Sequence, residues 1–193
     1  MPIIGGVLSW YGTFFHELSH GLAALLTGAR IQGFELNLNG SGSLSHSGSR
    51  LRVLVAFVGY PGTALAGYGI YRYLGMRPSG GLPWLWLLAG LIGLSAVLWM
   101  RDPVSWLIAA CLVAILIISR RFLPARYRPH ALKFIGALTL VSAFQSTWVL
   151  FGLSEKGDAT TMARLLLLPE IFWVLLWIGF AGWLLWRLWR LER

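Results

Sequence analysis

The first apolar stretch of the chain contains His16, Glu17 and His20, in the string His-Glu-Leu-Ser-His. Histidines four residues apart lie on one face of a helix, one turn above the other, so both imidazoles can bind one metal ion. The carboxylate of Glu17 then lies beside the metal, where it can act on a water molecule. The spacing therefore predicts a metal centre, with His16 and His20 as ligands and Glu17 as the general base.

These polar residues belong to a segment, residues 3–27, that is otherwise almost uncharged and long enough to cross a bilayer. Ionisable groups inside a membrane span are costly and indicate a functional site by default. The alternative is a pair of core or interfacial histidines with an unrelated glutamate. Three clustered polar groups in hydrocarbon need a shared explanation, which favours the metal centre.

Hydrophobic residues make up 57% of the 193 residues and charged residues only 12%. A soluble domain carries about twice that charged fraction, so the composition predicts an all-α polytopic membrane protein whose surroundings are the lipid bilayer. We predict a single domain over residues 1–193, with about six transmembrane helices. The predicted spans are 3–27, 51–74, 82–100, 103–119, 131–152 and 169–190.

The net charge of +9 would suggest nucleic acid as a partner if the protein were soluble. In this chain the arginines lie mainly at the ends of apolar runs, where headgroup contacts and membrane topology explain them. We therefore expect no nucleic-acid partner.

Between the first two predicted spans, Phe34, Leu36 and Leu38 alternate with polar residues, and a Gly-Ser-Gly turn follows. Alternation with a period of two around such a turn predicts a short β-hairpin, and a solvated loop is the alternative. An exposed edge strand could pair with an unwound substrate. The candidate substrate-binding residues are Leu36, Leu38, Gly40 and Gly42.

A catalytic zinc ion usually takes three protein ligands, so the two histidines require a third. The remaining candidates are Glu35, Glu155, Asp158 and Glu170. Helix rise places the histidines nearer the C-terminal end of the first span, and with six spans the loop that contains Asp158 opens on that side. This favours Asp158, with Glu35 as its main rival. The alternative role for Asp158 is to cap the helix that follows it.

The chain resembles the site-2 protease family of intramembrane zinc metalloproteases. The resemblance rests on the His16–His20 motif in the first span, the glycine-bearing hairpin, the second span rich in small residues, and an aspartate near a late span. It implies one zinc ion per chain held by His16, His20 and Asp158, with Glu17 as the base. Many members carry Asn-Pro-Asp-Gly or Leu-Asp-Gly, whereas this chain has Gly-Asp-Ala, which is similar to a compact bacterial branch.

The expected function is thus that of a zinc-dependent endopeptidase, which cleaves membrane-embedded or juxtamembrane bonds of a membrane protein substrate. The expected location is the bacterial plasma membrane, with a multi-pass topology. One alternative is a non-proteolytic zinc- or partner-binding membrane protein on the same scaffold, which would bind zinc without turnover. Another is a membrane transporter, which would show ion flux and little sensitivity to Glu17→Gln.

Overall fold

The computed structural model describes residues 2–75, 82–149 and 157–193, and these ranges contain seven α-helices and one two-stranded sheet. In chain order the elements are α1 (Pro2–Leu26), β1 (Arg30–Leu36), β2 (Gly42–Ser47), α2 (Arg52–Gly69), α3 (Leu82–Trp99), α4 (Pro103–Phe122), α5 (Arg128–Val149), α6 (Asp158–Leu166) and α7 (Glu170–Leu191). A π-helical turn, Ile70–Leu74, continues α2, and a short 3-10 turn, Ala125–Tyr127, precedes α5.

The helices confirm the predicted class, a mostly helical membrane protein with an antiparallel hairpin. Within the described residues, Arg52–Tyr73, Pro103–Phe122 and Glu170–Leu191 are long and apolar enough to cross a membrane, and Trp84–Trp99 is a shorter apolar helix. The total of about six spans stays a prediction. The short helix α6 lies between two predicted spans, at the place of the helix that Asp158 was considered to cap.

The α3–α4 pair forms one side of the core against α1. Helix α4 begins where Asp102 accepts a hydrogen bond from the Ser105 N–H at 2.8 Å, and Pro103 occupies its first turn. Leu112 is fully buried on the inner face of α4, and its carbonyl oxygen accepts a hydrogen bond from the Tyr11 hydroxyl at 2.8 Å. Leu107 is exposed on the opposite face, as expected for contact with lipid.

Glycines bring α2 into backbone contact with α5. A Cβ atom added to Gly67 would lie 2.5 Å from the Leu140 amide nitrogen, and one added to Gly136 would lie 2.5 Å from the Tyr71 amide nitrogen. Small residues allow membrane helices to approach this closely. The crossing fixes α2 between α5 and α1, so its other face lies against the histidines of α1.

The β-hairpin folds back alongside α1. Its strands pair antiparallel, with Phe34 opposite Leu44 and Leu36 opposite Gly42. The Thr13 hydroxyl donates a hydrogen bond to the Gly40 carbonyl at 2.6 Å, so the turn lies about 20 Å along the helix from its end at Leu26. Non-helical backbone at membrane depth is tolerated where it is buried in protein or lines a cavity. The hairpin meets this condition because β1 packs into the core and β2 lines a cavity.

Candidate metal centre

Three predicted ligands, contributed by α1 and α6, meet at one point. The Nε2 atoms of His16 and His20 are 3.0 Å apart, and Asp158 Oδ2 lies 3.1 Å from the first and 3.2 Å from the second. The helical spacing of four residues places both imidazoles on one face of α1. The structure thus brings together two histidines and the aspartate that the sequence favoured as their partner.

The donor triangle has the size that a tetrahedral zinc ion requires. Zinc binds imidazole nitrogen and carboxylate oxygen at about 2.0–2.2 Å, so tetrahedral ligand atoms lie roughly 3.3–3.4 Å apart. The observed separations of 3.0, 3.1 and 3.2 Å differ from that by a few tenths of an ångström. Two nitrogens and one oxygen also suit zinc, and a set of three protein ligands is that of a catalytic site.

The His20 imidazole is oriented by the backbone of α2. Its Nδ1 atom lies 2.6 Å from the Val55 carbonyl oxygen, which can only accept a hydrogen bond. This fixes the proton on Nδ1 and leaves the lone pair of Nε2 directed at the other two ligands. Such a second partner is the usual arrangement of a metal-binding histidine.

The His16 imidazole is held by aromatic packing. Its ring meets Tyr60 edge to face, with centroids 4.5 Å apart, and Tyr60 packs on Trp177 of α7 at 4.8 Å. Trp177 is fully buried among residues of α2, α6 and α7. The position of the His16 ring therefore depends on the packing of α7.

Gly59 of α2 lies directly over both imidazoles. A Cβ atom at this position would lie 2.5 Å from His20 Nε2 and 2.6 Å from His16 Cε1. Only glycine leaves enough room for the rings as they stand. The sequence showed that the second span is rich in small residues, but that pattern alone does not identify Gly59 as the one at the site.

Asp158 is the first residue of α6, and Gly157 before it has a φ of 145°, a conformation that favours glycine. Gly157 occupies the N-cap position, so Asp158 does not take the capping role considered as its alternative. Met162 and Ala159 are buried and join α6 to α2 and α7. Burial alone would raise the pKa of Asp158, but its contacts with the two imidazoles lower that pKa below its usual value.

The Glu17 carboxylate lies beside the ligands, between α1 and the hairpin. Its side chain is buried, and a Cβ atom added to Gly42 would lie 2.9 Å from Glu17 Cγ. Gly42 therefore allows β2 to approach the glutamate closely.

Two cavities meet at this centre. The larger has a volume of about 710 Å³ and contains all three candidate ligands in its wall, together with β2 and the start of α2. The smaller, of about 190 Å³, extends toward Thr13, Ser142 and Ser146. Residues shared by both walls include Glu17 and Tyr60. A volume of about 710 Å³ falls within the range of ligand-binding pockets, and the larger cavity runs beside β2.

Glu35 and Glu170, two of the other candidate ligands, are not part of the triangle. Glu35 is exposed, and its Oε2 accepts a hydrogen bond from the Ser43 hydroxyl at 3.3 Å. Glu170 begins α7, and Glu155 lies outside the described residues. Val55, Gly59 and Tyr60 were not singled out from the sequence as parts of the site.

The four candidate substrate-binding residues have different surroundings. Leu36 is buried in the core, and its N–H donates a hydrogen bond to the Ser105 hydroxyl at 2.8 Å. Leu38 is exposed at the turn. Gly40 and Gly42 border the cavities. Among the four, the two glycines have the positions that suit contact with a bound peptide.

Comparison with known families gives a match over nearly the whole chain. A family model described as Peptidase M50B-like matches residues 2–188, a range that contains the motif on α1, the hairpin and Asp158. Searches among curated proteins and among solved structures each returned no match. The chain therefore belongs to the Peptidase M50B-like family, which confirms the predicted membership of the site-2 proteases.

Proposed function

We propose that the protein is a zinc-dependent intramembrane endopeptidase that cleaves membrane-embedded or juxtamembrane peptide bonds. The observation that carries this proposal is the approach of His16, His20 and Asp158 to within 3.2 Å of one another, although His20 and Asp158 are 138 residues apart in sequence. Membership of a peptidase family supports the same conclusion.

The three ligands would hold one zinc ion per chain. When bound, zinc would lower the pKa of a water molecule toward neutrality and polarise the substrate carbonyl. Glu17 would accept the proton of the attacking water and then donate it to the departing amide nitrogen. Val55 and Tyr60 would keep the two imidazoles in place during this exchange, because they contact His20 and His16 respectively.

The substrate would bind in extended form along β2. A helical segment hides its carbonyl groups in hydrogen bonds and must unwind before a bond can be attacked. Strand β2 lines the larger cavity and belongs to a two-stranded sheet in which β1 is its partner. An unwound substrate could pair with the other edge of β2. Gly42 would keep β2 close to Glu17, and Gly40 lies at the turn beside the smaller cavity.

We further propose a multi-pass position in a bacterial plasma membrane, with another membrane protein as the substrate. Large apolar side chains exposed on α3, α4 and α7, such as Leu94, Leu107 and Leu175, support contact with lipid. The cavity beside the hairpin would then admit the substrate from the membrane or its surface.

The test is reconstitution of the protein in proteoliposomes with a membrane-spanning substrate, followed by measurement of cleavage and zinc content. We expect one zinc ion per chain and turnover in the wild type, zinc without turnover in Glu17→Gln, and loss of zinc in His16→Ala. Glu35→Gln, which neutralises an exposed carboxylate in the same way, is the matched control and should cleave normally.

Other results would favour the alternative functions. Equal cleavage by the wild type and Glu17→Gln would exclude Glu17 as the base. Bound zinc without turnover of any tested substrate would favour a non-proteolytic zinc-binding scaffold. Proton or metal flux that survives Glu17→Gln would favour a transporter.

A further inference from the structure

The wall of the larger cavity contains two basic side chains that the proposed chemistry does not use. Arg52, the first residue of α2, and His46 on β2 both line this cavity. Among the described residues, Arg52 forms no ion pair with an acidic group. The His46 Nδ1 atom is buried and has no hydrogen-bond partner among those residues. Each side chain thus has hydrogen-bonding capacity that the described residues do not use.

The start of α2 adds further donors at the same place. Its N-cap residue is Leu51, which provides no side-chain cap, and the first turn of the helix contains no acidic residue. The first N–H groups of a helix have no partner within the helix, and they form the positive end of its dipole. An uncapped helix start that carries the Arg52 guanidinium, with an imidazole in the same cavity wall, is suited to bind a carboxylate.

The hairpin sets the distance between this pair and the metal centre. Gly42 of β2 packs against Glu17, and His46 follows four residues later on the same strand. A strand rises about 3.3–3.4 Å per residue, so His46 lies roughly 13 Å along β2 from the level of Glu17. A peptide paired with β2 would also rise about 3.3–3.4 Å per residue, so its fourth residue from the level of Glu17 would lie near His46.

We propose that Arg52 and His46 bind a carboxylate of the peptide substrate, namely an Asp or Glu side chain about four residues from the scissile bond. The proposal deepens the proposed peptidase function and rests on it for the position of that bond. It defines the preferred substrate as one whose segment at the cavity mouth is acidic.

Anionic lipid headgroups have the same charge and are the rival occupant. Arg30 and Arg50 are exposed near the same end of the hairpin and would meet headgroups as readily as Arg52 does. Arg52 and His46 differ from these two arginines because they line the cavity that contains the metal centre. A peptide carboxylate therefore fits the position of Arg52 and His46 better than a lipid headgroup does.

The experiment uses peptides anchored at the metal centre by a hydroxamate group, so that the register is known. Two series carry the hydroxamate at the N-terminal or at the C-terminal end, and each series has a single Asp, or an Asn control, at positions one to six. Binding to the zinc-loaded full-length protein in phosphatidylcholine nanodiscs is measured by fluorescence anisotropy. We expect Asp near position four of one series to bind about tenfold more tightly than Asn.

Single substitutions then test whether Arg52 and His46 cause the preference for Asp over Asn. Arg52→Gln should abolish the preference for Asp, and its zinc content and circular dichroism show whether the variant is folded. Arg50→Gln, with the same loss of charge two residues away, should keep the preference. His46→Ala should reduce it.

The proposal is overturned if the hydroxamate peptides bind but Asp gives no gain at any position. It is also overturned if Arg50→Gln and Arg52→Gln weaken the preference equally, or if phosphatidylglycerol in the nanodisc removes it, because the site would then belong to lipid. Failure of the Asn peptides to bind zinc-loaded wild type would instead contradict the metal centre itself, and with it the proposed function.

Discussion

Replacement of Gly59 by alanine tests whether the backbone of α2 determines the geometry of the metal centre. The new Cβ atom would lie 2.5 Å from His20 Nε2 and 2.6 Å from His16 Cε1, whereas ordinary contacts of a Cβ atom begin at 3.4 Å. One or both imidazoles must therefore move by almost 1 Å, unless α2 moves instead, and α2 is held by its glycine contacts with α5. Metal–ligand distances tolerate deviations of only about 0.2 Å.

We expect Gly59→Ala to lower zinc affinity by at least about 10- to 100-fold, the range seen when groups that support metal ligands are altered. The assay is competition with a chromophoric chelator on purified protein, together with the metal content by mass spectrometry. Circular dichroism checks that the helices are retained.

Gly69→Ala is the matched control because Gly69 lies on the same helix and a Cβ atom there meets no other atom within 4 Å. It should bind zinc normally and keep or raise the stability by up to about 1 kcal/mol, since alanine suits a helix better than glycine. A folded Gly59→Ala protein that binds zinc as tightly as Gly69→Ala would refute the reasoning.

Three further predictions concern stability. Removal of metal by a chelator should lower the thermal unfolding temperature, and added zinc should restore it, because the site joins α1 to α6; an unchanged temperature would argue against a bound ion. Asp102→Ala should cost about 0.5–2 kcal/mol of unfolding free energy by loss of the helix cap. Burial alone would raise the pKa of Asp102, but hydrogen bonds from Ser105 lower it below 3.8. The stability that Asp102 adds relative to alanine should therefore persist above pH 3.8 and decrease at lower pH. Glu192→Gln should change the unfolding free energy by less than about 1 kcal/mol, because its 2.6 Å ion pair with Lys133 is partly exposed; a larger loss would show that this pair holds α7 to α5.

The parts of the site that could be predicted from sequence depend on local geometry. A helix fixes the relation between His16 and His20, because a separation of four residues always places two side chains on one face. The alternation around the Gly-Ser-Gly turn similarly predicted the hairpin, because strands place successive side chains on opposite faces.

The remaining features depend on how distant segments pack. The second span contains several glycines, and only the crossing of α2 with α5 at Gly67 decides that Gly59 meets the imidazoles. The alternation in the hairpin does not reveal that its turn returns to Thr13 rather than extending into solvent. A helix after Asp158 was considered from the sequence, but its buried face is defined by packing against α2 and α7.

The separation of 138 residues between His20 and Asp158 has a consequence for biosynthesis. At about 5–20 residues per second, a ribosome needs roughly 7–28 s to add the aspartate after the second histidine. During that interval the nascent chain has both imidazoles but lacks the Asp158 carboxylate, so it would retain zinc poorly. Metal loading would then wait until α6 has been translated and docked, so the proposed activity would arise only after that step.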